Sequence, residues 1–572
     1  MSKKIYECIE ITDLKDMLNK TKNIYGERPA FKIRNEDGNY RIITHREVRD
    51  NIDYLGTALI SLGLKGKKIA VIGENRYEWE IAYLSVVCGT GIIVPLDKSL
   101  PANELESLIE RSGVEAIFFS QKYVEIVKDI KQKATNKLKH LISMDLKEHY
   151  DGIYSEEKLI KEGKKLVQNG NLDFINAKIN PEEMQIMLFT SGTTAQSKVV
   201  ALSHKNLCSN LMDIASVLNV NSNDVILSIL PIHHVFECTV GFLFSLYKGA
   251  QTVFCDGIRH IIDNLKEYDV TVMACVPAIY ERIFMIIRKK MEQNGKLKEI
   301  LERKEENANL TMEQRREAFK DLHEILGGKI KLLICGAAKL DPVIHAKYKA
   351  LGFNLAQGYG LTETSPVIAV ETEKYNRVGS IGKTIPSVEA KLVDVNKDGI
   401  GELIVKGPNI MLGYFENEEA TSEAIKDGWF YTGDLAQIDD EGYIYICGRK
   451  KSVIVLKNGK NIFPEEMETL INKIEGVKES FVFGRKKTED KDDIKINAKI
   501  VIDKQLIKDI YNVTEEADIY EVISNKIKEI NKTMPMYKAI RGIILSEEEL
   551  IKTTTNKIKR QANLDEIEKL ND

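Results

Sequence analysis

The chain reads as an α/β protein of more than one domain, and three observations predict this. Short apolar runs that suit buried strands alternate with stretches of helical periodicity. That alternation implies parallel-rich sheets layered with helices on both faces. Its length of 572 residues exceeds what one compact core fills, so two or more domains are expected. A run of small and hydroxylated residues then follows one predicted strand. Parallel sheets bind ligands at the carboxyl ends of their strands, which is where that run would lie.

Taken in order, residues 30–33 and 40–43 form a strand pair around the turn Asn35-Glu36-Asp37-Gly38. Thr44 starts a helix with Val48, Ile52, Leu55 and Leu59 on one face. Residues 68–73 make a buried strand ending at Gly73, with a helix through Trp79 and Tyr83 after it. Residues 94–96 and 116–119 are further apolar runs, whereas 130–180 is polar and reads as surface connections. The run 184–189 is a strand, 199–202 a returning strand, and Ser203 caps a helix carrying Leu207, Leu211, Ile214 and Leu218. Residues 225–247 are almost uncharged, but Pro231, His233, His234 and Glu237 suit a buried strand and helix better than a membrane span. A charged stretch from about 288 to 326 reads as a solvated helical pair. Residues 330–335 are a strand; 389–394, 401–405 and 409–414 are short β segments; 466–474 and 516–531 are amphipathic helices.

The organising stretch is Thr190-Ser191-Gly192-Thr193-Thr194-Ala195-Gln196-Ser197-Lys198. Short side chains let successive backbone N–H groups converge on one anion. The hydroxyls of Thr190, Ser191, Thr193 and Thr194 add donors and Lys198 a point charge, as a polyphosphate cradle requires. A Walker loop would need Gly at Ser197, a hydroxyl at Val199 and a helix directly after. An ordinary Ser/Thr-rich hairpin turn has the same composition, so the loop alone leaves both readings open.

The net charge of −4 argues against a nucleic-acid scaffold. Eight scattered cysteines without paired CxxC spacing indicate neither a zinc site nor a disulfide framework. The first residues, Met1-Ser2-Lys3-Lys4 with Glu7, Glu10 and Asp13 behind them, lack the apolar core of a signal peptide, and a cytoplasmic setting is expected. No Ser-His-Asp or Cys-His constellation points to a protein nucleophile.

Further blocks follow. Gly336, Ala337 and Ala338 end a strand with small residues against which a flat ring can lie. Gln357, Gly358 and Tyr359 precede Thr362 and Glu363, giving an aromatic face, a hydroxyl and a carboxylate in succession. Asp434 stands at a Gly turn, where it can accept two hydroxyl protons or form an Asx turn. With Pro231-Ile232-His233-His234-Val235-Phe236-Glu237 and 552–560, these make six blocks in a fixed order. The chain resembles the adenylate-forming (AMP-binding, acyl-activating) superfamily, and its long-chain acyl-CoA synthetase branch in particular. Its loop departs from the family signature at Ala195, Ser197 and Val199, and Asn556 stands where Gly usually precedes the lysine.

The resemblance implies a large domain over 1–448 closed by a small β-barrel, a hinge at 449–451 around Lys451, and a small mobile α+β domain over 452–572. It implies ATP/AMP, Mg²⁺ and coenzyme A as cofactors and co-substrate, with a fatty acid as acyl donor and no nucleic acid. It assigns Tyr359 to adenine, Thr362 to phosphate, Glu363 to Mg²⁺, and Asp434 with Arg449 to the ribose. His234 falls beside the acyl carboxylate, Lys557 at the adenylation step, and Gly459 and Lys460 in the loop of the second step. An acyl carrier protein as acceptor, a non-catalytic nucleotide or acyl binder, and peripheral membrane contact are the alternatives left open. Oligomeric state and acyl chain length stay undetermined.

Overall fold

The computed structural model describes residues 1–572 except 36, 134–135, 191–197, 294, 296–309, 457–459, 487–493, 554–556 and 570–572. Two large sheets share one hydrophobic core. The first has eight strands in the order Gly413–Tyr414, Val199–Ser203, Met184–Phe189, Gly91–Pro95, Lys67–Ile72, Ala116–Phe119, His140–Ser143 and Ile153–Ser155. Its neighbours are parallel from Met184–Phe189 onward, and Val199–Ser203 and Gly413–Tyr414 add antiparallel at one edge. The second has nine strands, with Val225–Ser228, Gln251–Phe254, Val272–Cys275, Leu332–Cys335 and Leu355–Gly360 parallel at its centre.

Alternate residues of these central strands are buried on opposite faces. Ile69 and Val71 enter the core shared by the two sheets, whereas Ala70 and Ile72 enter a separate outer one. Leu332 and Ile334 likewise face inward, and Leu333 and Cys335 face an outer cluster. Both faces being covered explains why the strands read as continuous apolar runs rather than alternating ones. The shared core includes Trp79, stacked on Tyr83 at 5.5 Å between ring centroids, with Phe242 edge-on to Tyr83. Residues 225–247 are the strand Val225–Ser228, a π-helical turn Glu237–Leu243 and the helix Phe244–Lys248. Among the described residues no helix is long and apolar enough to cross a membrane.

Two expectations are corrected. The region 130–180 contains strands His140–Ser143 and Ile153–Ser155 and the helix Glu156–Gln168, capped by Ser155. His140–Ser143 holds only two apolar residues between polar ends and Ile153–Ser155 is three residues long, too little for an apolar run, and Leu159 is the one apolar residue of that helix that is fully buried. Within 409–414 only Gly413–Tyr414 is a strand, and it joins the edge of the eight-stranded sheet. Asn409 holds the preceding residues by donating to the Thr364 and Val367 carbonyls at 2.9 and 3.0 Å. In the charged stretch 288–326, the helices Pro277–Gln293, Met312–Ala318 and Lys320–Ile325 are seen.

Five antiparallel strands follow: Glu389–Val393, Gly401–Lys406, Ile425–Lys426, Trp429–Ile438 and Ile444–Arg449. A short turn, Lys450–Ser452, leads to a three-stranded sheet packed with helices Pro464–Ile471 and Glu516–Lys532. This last part has its own core of Met467, Ile471, Val482, Ile500, Ile519 and Ile523. Pro464 at the first turn moves the start of its helix two residues ahead of the sequence-based position.

Candidate active site

The site gathers at the strand ends. Leu355–Gly360 carries Gln357, Gly358 and Tyr359, and at Gly360 the chain passes so close that an added Cβ would lie 1.7 Å from the Pro366 carbonyl oxygen. Buried Gln357 is anchored by its N–H, which donates to Glu371 Oε2 at 2.9 Å. The Tyr359 hydroxyl donates to the Asp434 carboxylate. Asp434 and Arg449 face each other across antiparallel strands, and Arg449 Nε lies 2.9 Å from Asp434 Oδ1. Burial pushes the Asp434 carboxyl up, against the pull of Arg449, the Tyr359 hydroxyl and Lys557.

Thr362 and Glu363 lie on the helical turn Thr362–Thr364. Glu363 Oε1 accepts the Tyr414 hydroxyl at 2.9 Å, and the Lys198 ammonium lies 4.5 Å from the centre of the Tyr414 ring. Thr190 closes against Lys198, its N–H donating to the Lys198 carbonyl at 2.9 Å. Ser191, Gly192, Thr193 and Thr194 lie outside the described residues. Gly336, Ala337 and Ala338 follow the strand Leu332–Cys335. Ala337 adopts a φ of +67°, strain of the kind that collects where a ligand meets backbone. A Cβ on Gly336 would stand 2.9 Å from the Phe236 ring, so glycine there lets that ring lie against the chain.

Lys557 reaches this cluster from the C-terminal part. Its N–H donates to Thr553 Oγ1 at 3.1 Å, and the Thr553 N–H returns to its carbonyl at 2.8 Å. Its ammonium pKa is lowered, first by desolvation and then by Arg449, while Glu363 and Asp434 pull it back up. Lys557 also acts on His234. The structure thus brings Lys557, Arg449, Glu363, Asp434 and His234 within electrostatic range. Lys460 stands elsewhere, over the Tyr537 ring at 4.0 Å within the small domain; Gly459 lies outside the described residues. Lys473 of the small domain pairs with Asp341 of the large one at 2.7 Å.

On the other side, the turn after Val225–Ser228 presents two histidines whose ring centroids are 4.1 Å apart. His233 Nε2 lies 3.5 Å from Asp97 Oδ1. Burial, then the neighbouring His233 and Lys557, bring the His234 pKa down to about 3 against the opposing Asp97. His234 is therefore a neutral imidazole.

Glu363 is a lone carboxylate with one oxygen held by Tyr414. That donor set fits a magnesium ion that arrives with ATP phosphates, since Mg²⁺ is commonly bound through one or two carboxylates plus substrate oxygens. Among the described residues no group of three or more His, Cys, Asp or Glu is arranged to hold a metal by itself.

Sequence reasoning missed Asp97 beside His233, Asn75, which donates to the Leu230 carbonyl at 2.7 Å ahead of the histidine turn, and the bridging part of Tyr414. Asp97 and Asn75 lie just beyond the ends of parallel strands, and that position is their one signal in the sequence.

A family profile described as AMP-binding enzyme matches residues 18–415, and one described as AMP-binding enzyme C-terminal domain matches 451–570. Fatty acyl-CoA synthetase B of Dictyostelium discoideum is 29% identical over 512 residues, covering 83% of this chain and 75% of its own. Long-chain-fatty-acid–CoA ligase 5 of Mus musculus is 30% identical over 498 residues, covering 80% and 71%. The long-chain-fatty-acid–CoA ligase of Salmonella typhimurium is 28% identical over 491 residues, covering 80% and 81%. Among solved structures, ATP-bound MatB from Rhodopseudomonas palustris superposes with a TM-score of 0.75 at 24% identity, covering 98% of this chain and 99% of that one. MenE from Bacillus subtilis with ATP and magnesium gives 0.73 at 21%, covering 96% and 99%. These two likenesses show the shared fold.

Proposed function

Because this chain belongs to the AMP-binding enzyme family, we propose that it is a long-chain fatty acid–CoA ligase. In the first half-reaction a fatty-acid carboxylate oxygen attacks the α-phosphorus of ATP, giving acyl-AMP and pyrophosphate. In the second, the coenzyme A thiol attacks the acyl carbonyl, and AMP leaves as the thioester forms. The observation that carries this reading is the meeting of Lys557 with Glu363, Asp434 and Arg449 across two separately folded parts.

The first step must join two anions. Lys557 and Lys198 supply positive charge to the phosphate oxygens as negative charge builds there. Asp434 accepts ribose hydroxyls, oriented by Arg449 and by the Tyr359 hydroxyl. Tyr359 offers its ring to adenine beside Gly336, Ala337 and Ala338, with Gln357 and Gly358 shaping the floor. Thr362 donates to the α-phosphate, and Glu363 would hold Mg²⁺, which screens the phosphate charge when bound. His234 binds the acyl carboxylate without taking a proton, because a fatty acid at neutral pH has none to give. Residues 1–448 form the large domain, 449–451 the hinge and 452–572 the small domain, whose Gly459 and Lys460 serve the thiol step. A fatty acid partitions into bilayers, so a cytoplasmic location with peripheral membrane contact completes the reading.

Fatty-acid-dependent AMP release, measured with and without coenzyme A, tests it. Multiple turnovers with coenzyme A and slow release without it are expected. Release that coenzyme A fails to accelerate would point to a carrier protein as acceptor. No AMP release at all would leave a nucleotide or acyl binder.

A further inference from the structure

Beneath the turn that presents His233 and His234, a buried hydrogen-bonded chain joins the two large sheets. Asn75 stands just beyond the strand Lys67–Ile72 of the eight-stranded sheet. Its Nδ2 donates to Ser228 Oγ at 2.8 Å and to the Leu230 carbonyl at 2.7 Å, and its Oδ1 accepts the Ile232 N–H at 3.2 Å. Ser228 ends the strand Val225–Ser228 of the nine-stranded sheet and donates its hydroxyl to Glu237 Oε1 at 2.6 Å. One amide and one carboxyl thereby meet at Ser228, and the amide also holds Leu230 and Ile232. The histidines come next in the chain, with the His234 N–H donating to the Pro231 carbonyl at 3.0 Å and the His234 carbonyl accepting from Cys238 at 2.9 Å.

We propose that Asn75 and Glu237 are positioning residues for the acyl carboxylate, fixing the 228–232 turn and so the place of the His234 ring. This rests on the reading of His234 as the group beside that carboxylate. Neither residue touches the reacting atoms; each acts through the turn. The arrangement is costly enough to need a reason. Glu237 is 1% exposed, its Oε2 has no hydrogen-bond partner among the described residues, and Glu80 on the helix Tyr77–Ser85 is fully buried with both its oxygens unpartnered. Burial of an unpaired carboxyl opposes folding, and a core built for stability alone would carry apolar groups there. What the carboxyl provides is an acceptor for the Ser228 hydroxyl at the base of the turn, on the side away from Asn75. Asn75 makes that turn answer to the first sheet as well, so the acyl side is registered against both.

The test compares Asn75→Ala, Glu237→Gln and Glu237→Ala with His234→Gln, each checked for folding by circular dichroism. Fatty-acid KM, ATP KM and kcat are measured for every variant. Asn75→Ala is expected to raise the fatty-acid KM about tenfold, because a displacement of about 1 Å at a positioned group has effects of that order or larger. ATP KM should stay within about twofold of the parent, and Asn75→Ala combined with His234→Gln should add little to His234→Gln alone. Glu237→Gln keeps an acceptor for Ser228 and should recover most of what Glu237→Ala loses. If His234→Gln raises the fatty-acid KM and Asn75→Ala does not, the positioning inference is overturned while the His234 reading stands. If His234→Gln leaves that KM unchanged, the reading falls and takes the inference with it. A parallel rise in ATP KM in the Asn75 variant shows general loosening and also overturns it. Asn75 is only partly buried, so its variant decides the matter even if Glu237→Ala fails to fold.

Discussion

The two halves of the site are held by different physics. On the proposed nucleotide side, charged and polar side chains pair with one another: Asp434, within the strand Trp429–Ile438, with Arg449 at the end of the next strand, Glu363 with the Tyr414 hydroxyl, and Lys557 among them. Arg449 is 48% exposed, so solvent reaches this half. On the acyl side an amide, a serine hydroxyl and a buried carboxyl hold a turn, and the ring they present is neutral. The contrast follows the substrates. A polyanion needs positive charge in place before it arrives, whereas an alkyl chain would suffer beside any unpaired charge.

The largest expected effect comes from removing the charge that crosses between domains. Lys557→Ala should lower adenylate formation by about 10²–10³-fold, the scale of losing one preorganised group at a developing charge. Thioester formation from supplied acyl-adenylate should be spared. Equal loss in both half-reactions, followed by separate assays, would erase the proposed division of labour. Next, Lys451→Pro fixes φ near −65° at the proposed hinge. Adenylation should survive and most thioester formation should vanish; acyl-CoA made at the parent rate would show that the hinge lies elsewhere.

Asp434→Asn tests the nucleotide side by itself. Hydrogen bonds to charged groups contribute about 1.5–3 kcal/mol, so ATP KM should rise roughly tenfold or more with fatty-acid KM unchanged. His234→Gln is the mirror experiment, with fatty-acid KM rising more than kcat falls. The smallest effect is in pH. The His234 pKa is lowered from 6.5 to about 3, so the ring stays neutral as pH falls from 8 to 5 and gains its proton only far below. The kcat/KM profile should therefore carry no limb in that range that disappears in His234→Gln. Such a limb would make the acyl side a titrating one and break the contrast.

The nucleotide side was far more legible in the sequence than the acyl side, for a physical reason. Thr362, Glu363, Tyr359 and Asp434 stand in short motifs because backbone turns must place them locally. Their mutual contacts were not legible: that the Tyr359 hydroxyl meets Asp434, or that Tyr414 stands between Lys198 and Glu363, depends on strands far apart in sequence. Asn75 carried only its place after a strand, and an asparagine there is an ordinary turn residue until the partner sheet is in place. The α/β alternation was readable at apolar runs such as Lys67–Ile72, Met184–Phe189 and Leu332–Cys335, while Val477–Lys486 and Ile494–Ile502, rich in charged residues, went unread. It failed at His140–Ser143 and Ile153–Ser155, where three or four residues at a sheet edge leave too little pattern.

Tyr414 gives the site a property that neither charge has alone. Its ring supports the Lys198 ammonium and its hydroxyl steadies Glu363, so one rigid aromatic plate serves as the seat of opposite charges. A polyphosphate that draws Lys198 away also relieves the plate, and a cation arriving at Glu363 competes for the oxygen that the hydroxyl occupies. With Lys198 at phosphate and Glu363 at magnesium, as proposed, nucleotide and metal would be thermodynamically linked through a residue that need bind neither, and linkage is reciprocal. Tyr414→Phe keeps the seat for lysine and removes the tie to Glu363, so the magnesium dependence of its ATP KM reads the coupling directly. A dependence identical to that of the parent would mean the two charges are seated independently.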